Sequence, residues 1–507
     1  MIRIRRRAAC AASVFECGAR VKERAVRLST PGSILPGAQV AGRQVKVGFI
    51  SLGCPKNLVD SESMIGLLQN TGYSITNQQA EADVLVVNTC GFIEAAKRES
   101  IDAILEAAQE KERGQCRALV VAGCMVPRYG HELMAEIPEV DALVGTADYP
   151  RIGEVISGIL AGQKVEQVSD PDAIADWNFE RVLATPGYTA YIKIAEGCDC
   201  ACAFCSIPLM RGKHRSRPVE SILDEARRLA GMGVKELVVI SQDTTAYGMD
   251  LYGKPSLAGL LRELAKVDGL RWIRVHYSYP TRITDELIEV LATEPKVLNY
   301  LDMPLQHGSN RMLRLMNRPA NAGGYVKLVQ KLRARVPDIC LRSTFIAGHP
   351  GETEEDFQML VDFLKACEFD HVGVFAYSQE EDTPSGQMDQ LPEDLRAARR
   401  DAAMAVQQGI AARRNQAQVG RTLEVLVEGR SPKGQGWYVG RSYRQSPGID
   451  GVVLFQAPEG TEYRPGDFVA VVVTGVAGYD LKGRAEGVTE PVDEELMLPV
   501  IPVIRHQ

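Results

Sequence analysis

Glu196-Gly-Cys198-Asp-Cys200-Ala-Cys202-Ala-Phe204-Cys205 is the stretch from which the rest of the chain is read. Cys198, Cys202 and Cys205 stand at C-x3-C-x2-C spacing, with an aromatic residue just before the last cysteine. Three thiolates on one short loop can hold three corners of a cubane 4Fe-4S cluster, and the fourth iron, without a protein ligand, stays open to another molecule. An open iron implies chemistry beyond electron storage. Cys200 reads as a non-ligand, because no triplet that includes it keeps the spacing. Zinc is the plain alternative for close cysteines, but it takes two separated pairs of Cys or His, and no second pair follows within the next hundred residues.

The loop ends a β-branched run at 191–195. Downstream, runs at 236–240, 272–277, 299–303, 340–346 and 371–377 alternate with helical patterns such as 219–230. Six βα units suit a barrel or partial barrel, whose reactive end gathers at the strands' carboxyl ends. The cysteine loop then faces the barrel mouth.

Upstream, 46–50, 84–87, 118–122 and 142–144 read as strands, with helices at 58–69 and 100–109. Alternation of this kind predicts an open parallel α/β sheet. Cys54, Cys90 and Cys124 each fall just past the end of one of its strands, beside Gly53, Gly91 and Gly123. The carboxyl ends of parallel strands share one edge, where ligand crevices form, so three cysteines some thirty residues apart converge there as a second cluster site. Free cysteines are often buried as small hydrophobes; Cys116, which precedes its strand, fits that role. After a Pro- and Asp-bearing linker, the barrel and a long Ala- and Arg-rich helix at 391–418, the runs 423–427, 437–439, 452–455 and 468–473 are split by Gly and Pro, as in a small all-β barrel. The domains expected are a basic leader at 1–44, cluster domain 45–165, linker 166–187, barrel 188–415, β-barrel 416–486 and tail 487–507.

Length calls for several cores: 507 residues exceed one domain. The net charge of -7 argues against a general nucleic-acid binder, and the terminal β-barrel region is near neutral, with eight Lys or Arg against seven Asp or Glu. Twelve cysteines without a secretory signal point to a reducing, cytoplasmic setting. No apolar run is long enough to cross a membrane. The leader, rich in arginine from Arg3 to Arg43, reads as a disordered extension, an early start or an imitation of a transit peptide.

The cysteine loop with Phe204 resembles the cluster motif of the radical S-adenosylmethionine superfamily. Together with the upstream cysteines and the terminal β-barrel, the chain is similar to the methylthiotransferases, which join a cluster domain, a radical barrel and a TRAM domain. The stretches Ser51-Leu-Gly-Cys-Pro-Lys-Asn-Leu-Val-Asp-Ser-Glu62, Asn88-Thr-Cys-Gly-Phe-Ile93, Tyr300-Leu-Asp-Met-Pro-Leu-Gln-His307, Tyr377-Ser-Gln-Glu-Glu-Asp-Thr383 and Ile449-Asp-Gly451 resemble the branch that modifies an aspartate of ribosomal protein S12. The tRNA-modifying branch differs at the first two. The resemblance implies two 4Fe-4S clusters, one on Cys198, Cys202 and Cys205 and an auxiliary one on Cys54, Cys90 and Cys124. It implies S-adenosylmethionine as both radical source and methyl donor, an electron donor such as a flavodoxin or ferredoxin, and a monomer.

Near the cofactor, Phe204 is expected against the adenine, Gln242, Asp243 and Thr244 against its methionine or ribose, and Arg342 against its carboxylate. Each has a plain alternative: a core aromatic, turn caps, an ion pair. His307 and His349 lie in family-like loops and fit a packing role equally. Two rival functions stand beside this reading, a tRNA adenosine methylthiotransferase and a non-catalytic two-cluster electron carrier.

Overall fold

The computed structural model describes residues 39–40, 43–114, 116–173, 180–319 and 321–490. Most of the leader and of the tail therefore lies outside the described residues. Where the leader meets the fold, 39–40 pairs antiparallel with 43–44, and Arg43 makes an ion pair with Asp83 at 2.6 Å.

The first domain is one parallel sheet built from β1 (Lys46–Ser51), β2 (Ser74–Thr76), β3 (Val84–Thr89), β4 (Ala118–Gly123), β5 (Ala142–Val144) and β6 (Val165–Gln167). β3 and β4 are buried along their whole length, as apolar strands covered by helices on both faces must be. Two separate apolar cores lie on those faces, one around Phe49 and Ile156, the other around Leu85 and Ile104. The strand order is β2-β1-β3-β4-β5-β6. Chain direction across the sheet thus reverses between β1 and β3, and such a switch point opens a crevice at the carboxyl ends. β2 and β6 are three-residue edge strands, too short to show a period in sequence; β6 falls where a linker was expected.

The second domain has six parallel strands in chain order: β7 (Thr189–Lys193), β8 (Glu236–Ile240), β9 (Trp272–Val275), β10 (Val297–Gln306), β11 (Cys340–Ala347) and β12 (His371–Ala376). β7 and β12 do not pair, so the barrel is open on that side. Its main core fills the layer between strands and outer helices.

Helix α1 (Pro55–Asn70) of the first domain packs against the β7 and β8 side of this barrel. Pro55 suits a first helical position, where its missing N–H costs nothing. Leu58 and Val59 pack on Tyr191, Val238, Ile240 and Tyr277 from the barrel, so α1 is buried on every side and its charged residues face the second domain. A sandwiched helix has no solvent face, which is why its sequence lacks a clear amphipathic stripe.

The third domain is a closed five-stranded barrel of β13 (Thr422–Arg430), β14 (Trp437–Arg441), β15 (Val453–Gln456), β16 (Phe468–Ala477) and β17 (Asp480–Glu490), in the order β13-β14-β15-β17-β16. β17 carries Lys482, Gly483, Arg484, Glu486 and Gly487 and is not among the runs that read as strands in sequence, yet it closes the barrel by pairing with both β15 and β16. It runs past residue 487, where a tail was expected to begin.

This third domain seats on the floor of the open barrel. Arg274 and Arg441 clasp the fully buried Glu236 at 2.9 and 2.6 Å. The loop after β14 then enters the floor: Arg274 donates to the Tyr443 carbonyl at 2.7 Å, Ser446 Oγ lies 2.7 Å from His276 Nε2, and Tyr300 donates to Asp450 at 2.8 Å. Burial alone would raise the Glu236 carboxyl, but Arg441 and Arg274 outweigh it and hold it down at about 2.

Candidate active site between two thiol triads

Register brings the first triad together. Ser51 pairs with Asn88, and Thr89 with Gly123, so Cys54, Cys90 and Cys124 leave adjacent strand ends on the edge where the switch point opens. Gly53 sits at φ +81°, and a Cβ there would stand 2.7 Å from Cys90 Cβ; only glycine lets the first loop close on the second. Asn57 ties the loops, its Nδ2 donating to the carbonyls of Leu52, Asn88 and Thr89 at 2.8, 3.2 and 3.1 Å.

Burial, with Cys124 and Cys54 nearby, pushes the Cys90 thiol up to about 12. Burial likewise raises Cys124, although Arg211 pulls the other way. Thiols raised by burial, as Cys90 and Cys124 are, ionise when a bound cation compensates their charge, which is the donor chemistry an iron–sulfur cluster needs. Among the described residues no three His, Cys, Asp or Glu side chains close on a single metal ion; cubane ligands bind different irons and need not be that close.

The second triad lies on the loop after β7. Gly197, at φ +77°, has the Lys213 carbonyl where a Cβ would be, so the loop turns close against the segment at 212–213. Cys200 N donates to Cys198 Sγ at 3.4 Å, but the hydrogen bond between the Cys198 and Cys200 thiols, and then burial, push the Cys198 thiol well up. Arg318 donates to Cys202 Sγ at 3.5 Å. Ala203 N–H and carbonyl are held by Met316 and Ser385 at 3.0 and 2.9 Å. Burial pushes Cys205 up to about 12. Cys200 takes a hydrogen bond from Arg282 at 3.3 Å; Cys198 first, and then Arg282, pull its thiol down to about 6.

A buried charge network joins the triads. Arg211 Nε donates to Cys124 Sγ at 3.2 Å, and its Nη1 reaches Asp60 at 2.7 Å and Glu196 at 3.3 Å. Lys193 pairs with the same two carboxylates, at 2.6 Å for Glu196. Glu196 begins the cysteine loop, so one guanidinium links the auxiliary thiols to the backbone that carries the other three. Lys193 and Arg211 hold Glu196 well below the usual carboxylate range against the opposing effect of burial. Sequence reading missed Arg211, Lys193 and Asp60; only the presence of charges on two otherwise apolar elements hinted at them.

The remaining candidates divide. Gln242 donates to Glu196 at 2.6 Å while its Oε1 is buried without a partner, as are Ser241 Oγ and Ser278 Oγ; these orphaned atoms follow the ends of β8 and β9 at the mouth. Phe204 is half-buried and meets His349 edge-on, with ring centroids 6.5 Å apart. Asp243 caps the turn that follows it, accepting from Thr245 and Ala246 N–H, and pairs with Arg282. Thr244 donates to the His276 carbonyl at 2.8 Å. Arg342, in the first half of β11, pairs with Asp302 at 2.9 Å and Asp450 at 3.4 Å, facing the floor. His307 meets Glu352 at 3.1 Å and His349 meets Ser385 at 2.8 Å, both fully buried.

A cavity of about 640 Å³ opens between the first domain, β7 and the third domain; Gly53, Cys54, Tyr191, Glu428 and Ile449 line it. It leads from the surface to Cys54.

Known proteins fit this arrangement. The radical SAM superfamily model matches residues 192–364, that of the uncharacterized protein family UPF0004 residues 46–145, and that of the TRAM domain residues 419–485. The fold is also similar to that of the radical S-adenosylmethionine methyltransferase TsrM from Kitasatospora setae, with a TM-score of 0.52 at 16% identity over 67% of this chain and 75% of that one. The fold and site thus define a radical S-adenosylmethionine enzyme. The ribosomal protein uS12 methylthiotransferase RimO of Symbiobacterium thermophilum is 78% identical over 94% of this chain and 99% of its own length, and that of Pelotomaculum thermopropionicum is 53% identical over 87% and 99%. The chain belongs to the RimO family of uS12 methylthiotransferases.

Proposed function

We propose that this protein methylthiolates the β-carbon of an aspartate in ribosomal protein uS12, using S-adenosylmethionine as radical source and methyl donor. The observation that carries the reading is the convergence of two thiol triads across Arg211. One such triad suffices for a radical enzyme; the second, at the switch point of a separate domain, supports delivery of a sulfur group. When bound, S-adenosylmethionine and the two 4Fe-4S clusters supply the electron, the 5'-deoxyadenosyl radical, the sulfur and the methyl group.

The chain's own residues hold and shield. Cys198, Cys202 and Cys205 hold one cluster, Cys54, Cys90 and Cys124 the auxiliary one. Gln242 Oε1, Ser241 and Ser278 offer unused hydrogen bonds to the polar parts of S-adenosylmethionine, and Phe204 offers a ring to its adenine. Asp243 and Thr244 fix the turn that carries Gln242. The α1 helix, packed on β7, β8 and Tyr277, keeps water from that part of the barrel. The cavity beside Cys54 admits a protein loop, and Glu99 and Glu428 on its wall suit a basic ribosomal protein, as does the net charge of -7. In this reading the enzyme works in the cytoplasm as a monomer and takes electrons from a flavodoxin or ferredoxin. Among the described residues no helix is long and apolar enough to cross a membrane.

Anaerobically reconstituted protein tests the reading. Iron and sulfide counts should give two clusters per chain, and reduced enzyme should form 5'-deoxyadenosine and add a methylthio group to a uS12 peptide. Failure to cleave S-adenosylmethionine overturns the radical reading; cleavage with transfer to tRNA adenosine instead of the peptide overturns the substrate.

A further inference from the structure

Most buried cations in this molecule have carboxylates; buried Arg318 is held instead by Cys202 Sγ and the Pro304 carbonyl. Lys193 and Arg211 share Asp60 and Glu196, Arg181 and Arg217 share Glu225, and Arg274 meets Glu236. Lys56 differs. It is only 7% exposed, yet no carboxylate lies within 4 Å of its ammonium among the described residues. Its Nζ sits 3.2 Å from the centre of the Tyr277 ring. A ring face offsets part of the cost of burying an ammonium, but a lysine has three N–H donors, and a buried charge is costly unless paired.

Position says what the missing partner is. Lys56 lies in the first turn of α1, two residues after Cys54. Tyr277 follows β9 at the barrel mouth, on a backbone held at φ +59° with its N–H donated to Asp302 at 3.2 Å. The side chain therefore bridges from the auxiliary thiols to the mouth where the second triad and the orphaned polar atoms lie. A substrate carbon that meets both clusters' chemistry has to pass through this gap.

We propose that Lys56 determines specificity for the acidic side chain of the substrate, by taking its carboxylate as the counter-ion the folded protein lacks. This inference rests on the uS12 reading given above. In an aspartate the carboxylate is one bond from the β-carbon, so anchoring the one at Lys56 holds the other between the triads. An asparagine at the same place would leave the ammonium without a carboxylate, and a polar group left without its partner is what makes a site reject an analogue.

The test uses anaerobic holoenzyme, preparations matched for iron, and two labelled synthetic peptides spanning the target aspartate of uS12, one native and one with Asp→Asn. Binding is read by fluorescence anisotropy without reductant. Wild type should prefer the native peptide by about tenfold or more, the scale of one charge-assisted hydrogen bond. Lys56→Gln should bind the native peptide as weakly as the Asn peptide, and Lys56→Arg should restore a preference. Where Lys56→Gln takes up too little iron to be matched, Lys56→Arg decides alone: a retained preference supports the inference and a lost one overturns it. A Lys56→Gln enzyme that distinguishes the peptides as wild type does overturns the inference alone. So does equal weakening for both peptides with a shifted auxiliary-cluster potential, which would assign Lys56 to the cluster. Wild type that binds neither peptide overturns the functional reading and this inference with it.

Discussion

Cys198, Cys202 and Cys205 come from eight consecutive residues, whereas Cys54, Cys90 and Cys124 come from three strand ends of a separate domain. The loop triad is held by neighbouring backbone, through Ala203 and Cys200. The auxiliary triad depends on sheet register, on the Asn57 amide and on a guanidinium from the other domain. A local triad can assemble whenever its loop is ordered. A dispersed one needs its sheet in register, and its guanidinium partner arrives only when two domains are docked, through a network of buried charges.

Substitutions at the two triads should separate most sharply. Cys202→Ala is expected to lose 5'-deoxyadenosine formation by more than about 1000-fold, roughly 4 kcal/mol of barrier, while keeping about half the iron, one of two clusters. Cys124→Ala is expected to keep cleavage and lose methylthio transfer by a similar factor. Product analysis by chromatography and iron counts read both; if Cys124→Ala also abolishes cleavage, the division of tasks is wrong.

Arg211 sharpens the contrast from the protein's side. Arg211→Met leaves the buried Asp60 and Glu196 to share Lys193 alone and should destabilise the docked domains by about 4 kcal/mol, as broken buried ion pairs do, in anaerobic urea unfolding. It should also lower the auxiliary midpoint potential by about 60 mV, one tenfold change for a one-electron couple, and leave the loop cluster's potential in place. Equal shifts at both would show that the network does not belong to the dispersed triad.

The floor gives a third, smaller effect. Glu236→Gln should cost about 3 kcal/mol without changing either potential. The Glu236 carboxyl is depressed, so its contribution is complete above the unfolded value of about 4.3 and is lost as pH falls through about 2. Stability of wild type should drop across that acid window more steeply than that of Glu236→Gln. At the low end, Arg227→Ala removes a surface pair with Asp224, both groups 60% exposed, and should shift stability by no more than about 0.5 kcal/mol.

The same contrast sets what the sequence could reveal. The loop triad is visible from spacing alone. The auxiliary triad is visible because apolar runs mark the strands and each cysteine follows one. The α1 helix starts three residues earlier than its apolar pattern, since Cys54-Pro55-Lys56 carries turn residues while Pro55 in fact begins the helix. β17 is hidden because its barrel face alternates with charged and Gly positions. The partners of Arg211 and Lys56 were not legible: Asp60 lies 151 residues from Arg211, and only docking decides which cations gain a partner. Arg342 shows the converse, for its strand was read correctly but its place along that strand, toward Asp450 rather than the mouth, depends on a loop from the third domain.

The most direct test of the central claim is mass spectrometry of ribosomal proteins and tRNA from a strain lacking this chain, before and after its gene is returned. The account predicts that one aspartate of uS12 loses a methylthio group in the deletion and regains it on complementation, with tRNA unchanged. An unaltered uS12 together with loss of a methylthio-adenosine from tRNA would contradict it.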